Sequence, residues 1–176
     1  MSHPLITGKD ITWDNNKLIV SKTDLAGRIT YANRQFMQIS GYHEGDLIGV
    51  QHNIIRHPFM PRGAFKLMWQ MLKNKQEFFA FVINETKNKQ YYWVFAHITP
   101  IYDDYKKVVG YYSVRRVMPD SLKPTIIDLY EKALLAEKGL SEKQATQASY
   151  DFLVQFIEDN NLVYNEFICD LYRQHA

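Results

Sequence analysis

Arg56 and His57 stand side by side in the segment His52-Asn53-Ile54-Ile55-Arg56-His57-Pro58-Phe59-Met60-Pro61. Arginine carries a planar, permanently charged fork that suits phosphate oxygens, and histidine changes charge near neutral pH. The same two residues also suit a plainer arrangement, with Arg56 paired to a surface carboxylate and His57 packed ahead of Pro58. Two amides, Asn33 and Asn84, each offer a donor and an acceptor. Asn33 falls where a helix begins, so an ordinary N-cap is the competing reading. Asn84 falls in a strand, where an exposed polar position competes. The rings of Phe65, Trp69, Phe78, Phe79 and Phe81 can wall a pocket or simply fill a core.

Other chemistries lack their residues. His52 and His57 are five positions apart with no cysteine or third histidine nearby, a poor zinc pattern. No phosphate-binding glycine loop, kinase signature or nucleophile elbow occurs, and Asp103-Asp104 reads as a turn. Neither enzymatic catalysis nor a bound metal is therefore expected. The single cysteine, Cys169, cannot make an internal disulfide, which fits a reducing compartment.

The elements that must position these residues follow from pattern. Leu18–Thr23 and Arg28–Ala32 read as two strands joined by the turn Asp24-Leu25-Ala26-Gly27. A short helix runs from Asn33 to Gly41, and irregular chain with Gly45, Gly49, Pro58 and Pro61 follows. Phe65, Met68, Trp69 and Leu72 at i, i+3, i+4 and i+7 predict a helix over 62–73. Strands are predicted at 77–85, 90–102 and 108–117. This order gives an α+β layout with an antiparallel sheet. Phe78 to Phe81 is denser in rings than one sheet face requires, so the outer rings are expected under the N-terminal cap or against a partner. Beyond Pro119, three amphipathic helices are predicted, carried by Ile126–Leu134, Leu153–Ile157 and Tyr164–Tyr172, with Ser141–Gln144 as a capping box before the second. The chain divides into a cap (1–17), a core domain (18–118) and a helical extension (119–176) for docking or dimerisation.

Composition bounds the partners. The 176 residues are 46% hydrophobic and 23% charged, with 14% aromatics, a globular balance. A formal net charge of +2 and no dense basic stripe argue against nucleic acid, and Lys106-Lys107 and Arg115-Arg116 read as solvated strand faces. No apolar run approaches the roughly 20 residues of a membrane span, and Met1-Ser2-His3-Pro4 does not open a signal peptide. A cytoplasmic protein with no direct membrane insertion is expected.

The ordered string Ile29-Thr30-Tyr31-Ala32-Asn33, Phe36, Ser40-Gly41-Tyr42 and Leu47-Ile48-Gly49 resembles the opening of a PAS domain. The segment from His52 to Pro61, with Ala64-Phe65, Met68-Trp69, Trp93-Val94 and Gly110-Tyr111, resembles the aerotaxis-receptor (Aer) branch and the stand-alone, Cet-type energy-taxis PAS proteins. The resemblance covers roughly residues 18–118. It implies a PAS fold, a five-stranded antiparallel sheet with short helices on one face, and FAD in the cavity between them, contacted by Asn33, Arg56, His57, Trp69 and Asn84, with His52 and Asn53 beside them. Two positions depart from the family pattern: Phe59 replaces an acidic residue, and Phe78 stands where many flavin PAS domains carry tryptophan. A phenylalanine there can stack on a flavin but has no indole N–H to donate. The blue-light LOV photocycle is excluded, because no cysteine lies in this segment. The resemblance further implies a redox sensor for motility that signals to a membrane-bound chemotaxis transducer with a HAMP-type region, with a homodimer through the C-terminal helices as a possibility. The alternatives are a haem-binding gas sensor, with His57 or His97 as axial ligand, and a cofactor-free interaction module.

Overall fold

The computed structural model describes residues 4–176. Its core is a five-stranded antiparallel sheet in the order β2-β1-β5-β4-β3, from β1 (Ile19–Thr23), β2 (Ile29–Ala32), β3 (Phe78–Glu85), β4 (Tyr91–Tyr102) and β5 (Val108–Val117). Between β2 and β3 run α1 (Arg34–Ser40), α2 (Glu44–Leu47), a 3₁₀ turn at His52–Ile55 and α3 (Arg62–Lys73). The predicted strands and helices agree with these to within a residue or two at most ends. The turn before β2 depends on Gly27, whose φ of +81° suits a residue without a Cβ.

Alternation along β3 divides the sheet into two chemically different faces. Phe78, Ala80, Val82 and Asn84 point toward the helices α1–α3, while Phe81 and Ile83 join a separate core on the opposite face with Trp93 and Phe95 of β4. That outer core is closed by the C-terminal extension, α4 (Lys123–Glu137), α5 (Glu142–Asp159) and α6 (Tyr164–His175). Tyr172 stacks on Phe95 with ring centroids 4.1 Å apart, and the Tyr130 hydroxyl donates to the Phe81 carbonyl at 2.5 Å. The expectation that the N-terminal cap or a partner covers the outer rings is corrected here. Among the described residues of the cap only Ile6 packs at this core, and the apolar stripes of the extension are used against the chain's own sheet.

The extension also reaches the other face. Pro61 gives α3 no side-chain cap, leaving its first amides without partners. Glu137 accepts the Arg62 N–H at 2.6 Å, and the Ser149 hydroxyl accepts that of Gly63 at 2.8 Å. The α5 backbone lies so near that a Cβ on Gly63 would stand 2.1 Å from Tyr150 N. Arg62 adds an ion pair to Glu142 at 2.8 Å. The α4–α6 unit thus wraps the β3 edge, touching sheet on one side and α3 on the other. The predicted capping box is present at Ser141 and Gln144.

Gly63→Ala is expected to lower stability by about 2–3 kcal/mol, because backbone cannot yield as a flexible side chain would. The denaturant midpoint of the full chain measures it. A shift below about 0.5 kcal/mol would contradict docking of α5 on α3 in the same chain.

Candidate functional site

Between the inner sheet face and α3 lies a cavity of about 250 Å³. Phe78, Ala80 and Val82 of β3, Ala96 and Ile98 of β4, and Phe65, Met68, Trp69 and Leu72 of α3 give it apolar walls. Trp69 meets Tyr111 edge-on at 5.4 Å and lies against Gly27, where a Cβ would come within 3.3 Å of the indole.

One end is polar. Arg115 of β5 is only 4% exposed and has no carboxylate partner among the described residues. Its Nη2 donates to the Ser21 hydroxyl at 2.6 Å and to His52 Nε2 at 2.7 Å. Burial lowers the Arg115 pKa to about 10, so the group remains a cation at neutral pH. Burial, together with that neighbouring charge, pushes His52 down to about 3. His52 is therefore neutral and carries its proton on Nδ1, leaving Nε2 to accept from Arg115 and from Ser21 at 3.0 Å. Its ring stacks on Phe36 at 5.7 Å.

Three polar atoms on the lining residues have no partner: Asn84 Nδ2, Ser113 Oγ and Arg115 Nη1. Each would cost about 1–3 kcal/mol if nothing satisfied it. Two N–H donors and a hydroxyl, spread along the cavity wall from Ser113 and Arg115 on β5 to Asn84 on β3, fit a ligand rich in carbonyl oxygens and ring nitrogens. At the opposite end from Arg115, beside Asn84, Arg56 lies over Phe65 at 4.3 Å and donates from Nη2 to the Met60 carbonyl at 3.1 Å. An isolated antiparallel bridge from Arg56 to Asn84 fixes that loop to β3.

Of the residues singled out from sequence, the structure brings His52, Asn53, Arg56, Trp69, Phe78 and Asn84 to the cavity. Asn33 and His57 are not among its lining residues. Asn33 is fully engaged by backbone: Oδ1 accepts from Phe36 N at 2.9 Å and Val20 N at 3.0 Å, and Nδ2 donates to the Leu18 carbonyl at 2.8 Å. It is the N-cap of α1, which corrects the contact role given to it above. His57 is buried beside Tyr91 and accepts from Phe59 N at 3.1 Å. Phe59 packs on Trp93 and Tyr130 in the outer core, so the departure at that position does not reach the cavity. Neither haem-ligand candidate lines the cavity, since His97 stacks on Phe79 at 4.1 Å and bonds Glu77 at 2.7 Å.

Sequence reasoning missed Arg115, Ser113 and Tyr111. Reading Arg115-Arg116 as a solvated pair is half right: Arg116 is exposed and Arg115 is not. The signal was the period of two, which places Tyr111, Ser113 and Arg115 on one strand face.

This architecture, a five-stranded antiparallel sheet closing a ring-walled cavity with short helices, defines a small sensory domain of the PAS type. Residues 29–115 match the family model described as the PAS fold, and the chain belongs to the PAS-domain family. It is 39% identical over 135 residues to the aerotaxis receptor of Escherichia coli, covering 77% of this chain and 26% of that protein. It is 28% identical over 152 residues to a nitrogen fixation regulatory protein of Klebsiella pneumoniae, covering 86% of this chain and 30% of the relative. The chain thus spans between a quarter and a third of these relatives. Among solved structures, the light state of the Aureochrome1 LOV photoreceptor aligns with a TM-score of 0.57 at 16% identity, covering 62% of this chain and 88% of that one. A light-oxygen-voltage domain studied with a flavin analogue aligns at 0.55 and 19% identity, covering 65% and 86%. These two likenesses concern the fold alone. Cys169 lies on α6 and is not a cavity residue.

His52 predicts a pH dependence. An unfolded histidine takes a proton below its ordinary pKa of 6.5, whereas the folded one stays neutral to about 3. Unfolding therefore takes up a proton in this window, and stability falls as pH drops through it, by at most about 1.4 kcal/mol per pH unit. Between pH 6.5 and 5, wild type is expected to lose about 1–2 kcal/mol more than His52→Gln, measured by denaturant unfolding. Parallel curves would show that His52 is protonated in the folded state.

Proposed function

We propose that this chain is a cytoplasmic redox sensor, not an enzyme, that holds FAD in the cavity and reports to a membrane-bound chemotaxis transducer with a HAMP-type region. The observation that carries this reading is a ring-walled cavity lined by Asn84, Ser113 and Arg115, each with a buried polar atom that has no partner. FAD supplies there a ring whose charge and protonation follow electron flow. Arg115, a buried cation without a counter-anion, favours negative charge at the inner end of such a ring. Asn84 can present either its N–H or its carbonyl by rotating, and so can face a ring nitrogen with or without a proton. At about 250 Å³ the cavity is slightly below the roughly 300–1,000 Å³ of common ligand pockets. It suits the ring, with the dinucleotide part leaving past Asn53, Arg56 and Trp69, where Arg56 offers its remaining donors to the pyrophosphate.

The transducer part rests on the 39% identity to an aerotaxis receptor, of which this chain spans only 26%. Among the described residues no helix is long and apolar enough to cross a membrane. Output in this reading passes to a second protein. A ligand shifts a signalling equilibrium only by interacting differently with its two states, and one hydrogen bond to a charged group is worth about 1.5–3 kcal/mol.

Protein purified from its native host should show flavin absorption bands, and mass analysis should identify FAD in the released ligand. Arg115→Ala should lower FAD affinity at least tenfold, and Arg56→Ala should lower it less, with cooperative unfolding kept in both. Release of a porphyrin, or colourless protein that takes up no added FAD, would defeat the cofactor assignment.

A further inference from the structure

The cavity's two walls are held from outside by one body. On β3, an edge strand, the free side of the backbone faces no neighbouring strand near its start. The Asn165 amide takes that place: Nδ2 donates to the Glu77 carbonyl at 2.9 Å, and Oδ1 accepts the Phe79 N–H at 3.2 Å. One residue earlier, the Tyr164 ring stacks on Phe78 at 5.2 Å and 12°. Phe78 is itself a cavity wall. Across the cavity, α3 contributes Ala64, Phe65, Met68, Trp69 and Leu72, and its first amides are accepted by Glu137 and Ser149 of the same extension.

We infer that Tyr164 and Asn165, at the start of α6, are positioning residues for the cavity, and that docking of α4–α6 and occupation of the cavity are coupled in one equilibrium. This rests on the reading above that the cavity holds a ligand. Alternation along β3 makes the coupling mechanical. The Phe78 side chain faces the ligand space while the backbone on either side of it is gripped by Asn165. A shift of this strand end toward or away from a ligand must strain or relax both the amide pair and the ring stack. Detachment of the extension would also free the Arg62 and Gly63 amides and loosen the start of α3. Linkage is reciprocal: whatever factor docking adds to ligand affinity, the ligand adds to docking. Output would then be the fraction of molecules with the extension docked, which changes the sheet surface and edge presented to another protein.

The test uses the full chain. Hydrogen exchange is read on wild type with FAD bound and after its removal, and exchange over residues 142–175 is expected to rise about tenfold on removal. Tyr164→Ala with Asn165→Ala should bind FAD at least tenfold more weakly, and Tyr164→Phe, which keeps the stack, should stay within twofold of wild type. Equal exchange with and without FAD, or unchanged FAD affinity in the double variant, would overturn the coupling. If wild type takes up no FAD, the cofactor assignment fails separately. The positioning role is then decided by the amides of Arg62, Gly63 and Phe79: about tenfold faster exchange in the double variant supports it, and equal exchange overturns it. The wild-type comparison needs no substitution, so a double variant that fails to fold does not leave the coupling undecided.

Discussion

A guanidinium buried without a carboxylate is the constraint around which this domain is arranged. Arg115 keeps its charge because two neutral acceptors, Ser21 and His52, take its N–H groups on one side. His52 can serve only while unprotonated, and the charge beside it, together with burial, keeps it so. Three elements of the chain, β1, β5 and the His52–Ile55 turn, meet at this one cluster. Its Nη1 has no partner, and the residue lines the cavity. Such an arrangement costs free energy when empty and returns it when an acceptor-rich group arrives.

The second constraint is that one strand serves two faces. Side chains of β3 alternate between the cavity and the outer core, while its free backbone edge belongs to the loop of Arg56 at one end and to Asn165 at the other. An edge strand left open would invite pairing with another chain. Here side chains from α4 and α6 occupy part of that edge, and the same helices bury Phe81 and Phe95. The extension is thereby more than an appended arm. It completes the core of the sheet, caps α3 and braces a cavity wall at Phe78.

Much of this was legible beforehand because the local rules agree with one another. β-branched and apolar runs between turn signals located the five strands, 3.6-residue spacing located α3 and the C-terminal helices, and turn residues such as Gly27 and Gly41 set ends. The loop from His52 to Pro61 was recognisable by residue type. Local rules could not say which way each residue in it turns. His52 and Arg56 face the cavity, whereas His57 and Phe59 turn to the other side. Asn33 suited both a cap and a ligand contact, and three backbone groups at hydrogen-bond distance decided for the cap.

By itself, then, the chain's order of residues determined its elements, its sheet, its family and part of the cavity's lining, since these depend on spacing and intrinsic preference over short stretches. Tertiary structure alone decided that Arg115 is buried and Arg116 is not, that the helical extension folds back on its own sheet, and that three polar atoms on cavity-lining residues are left without partners. Those outcomes depend on which surfaces meet across long stretches of sequence: 94 positions separate Ser21 from Arg115, and 86 separate Phe79 from Asn165. Burial and pairing belong to that meeting, and no local pattern contains it.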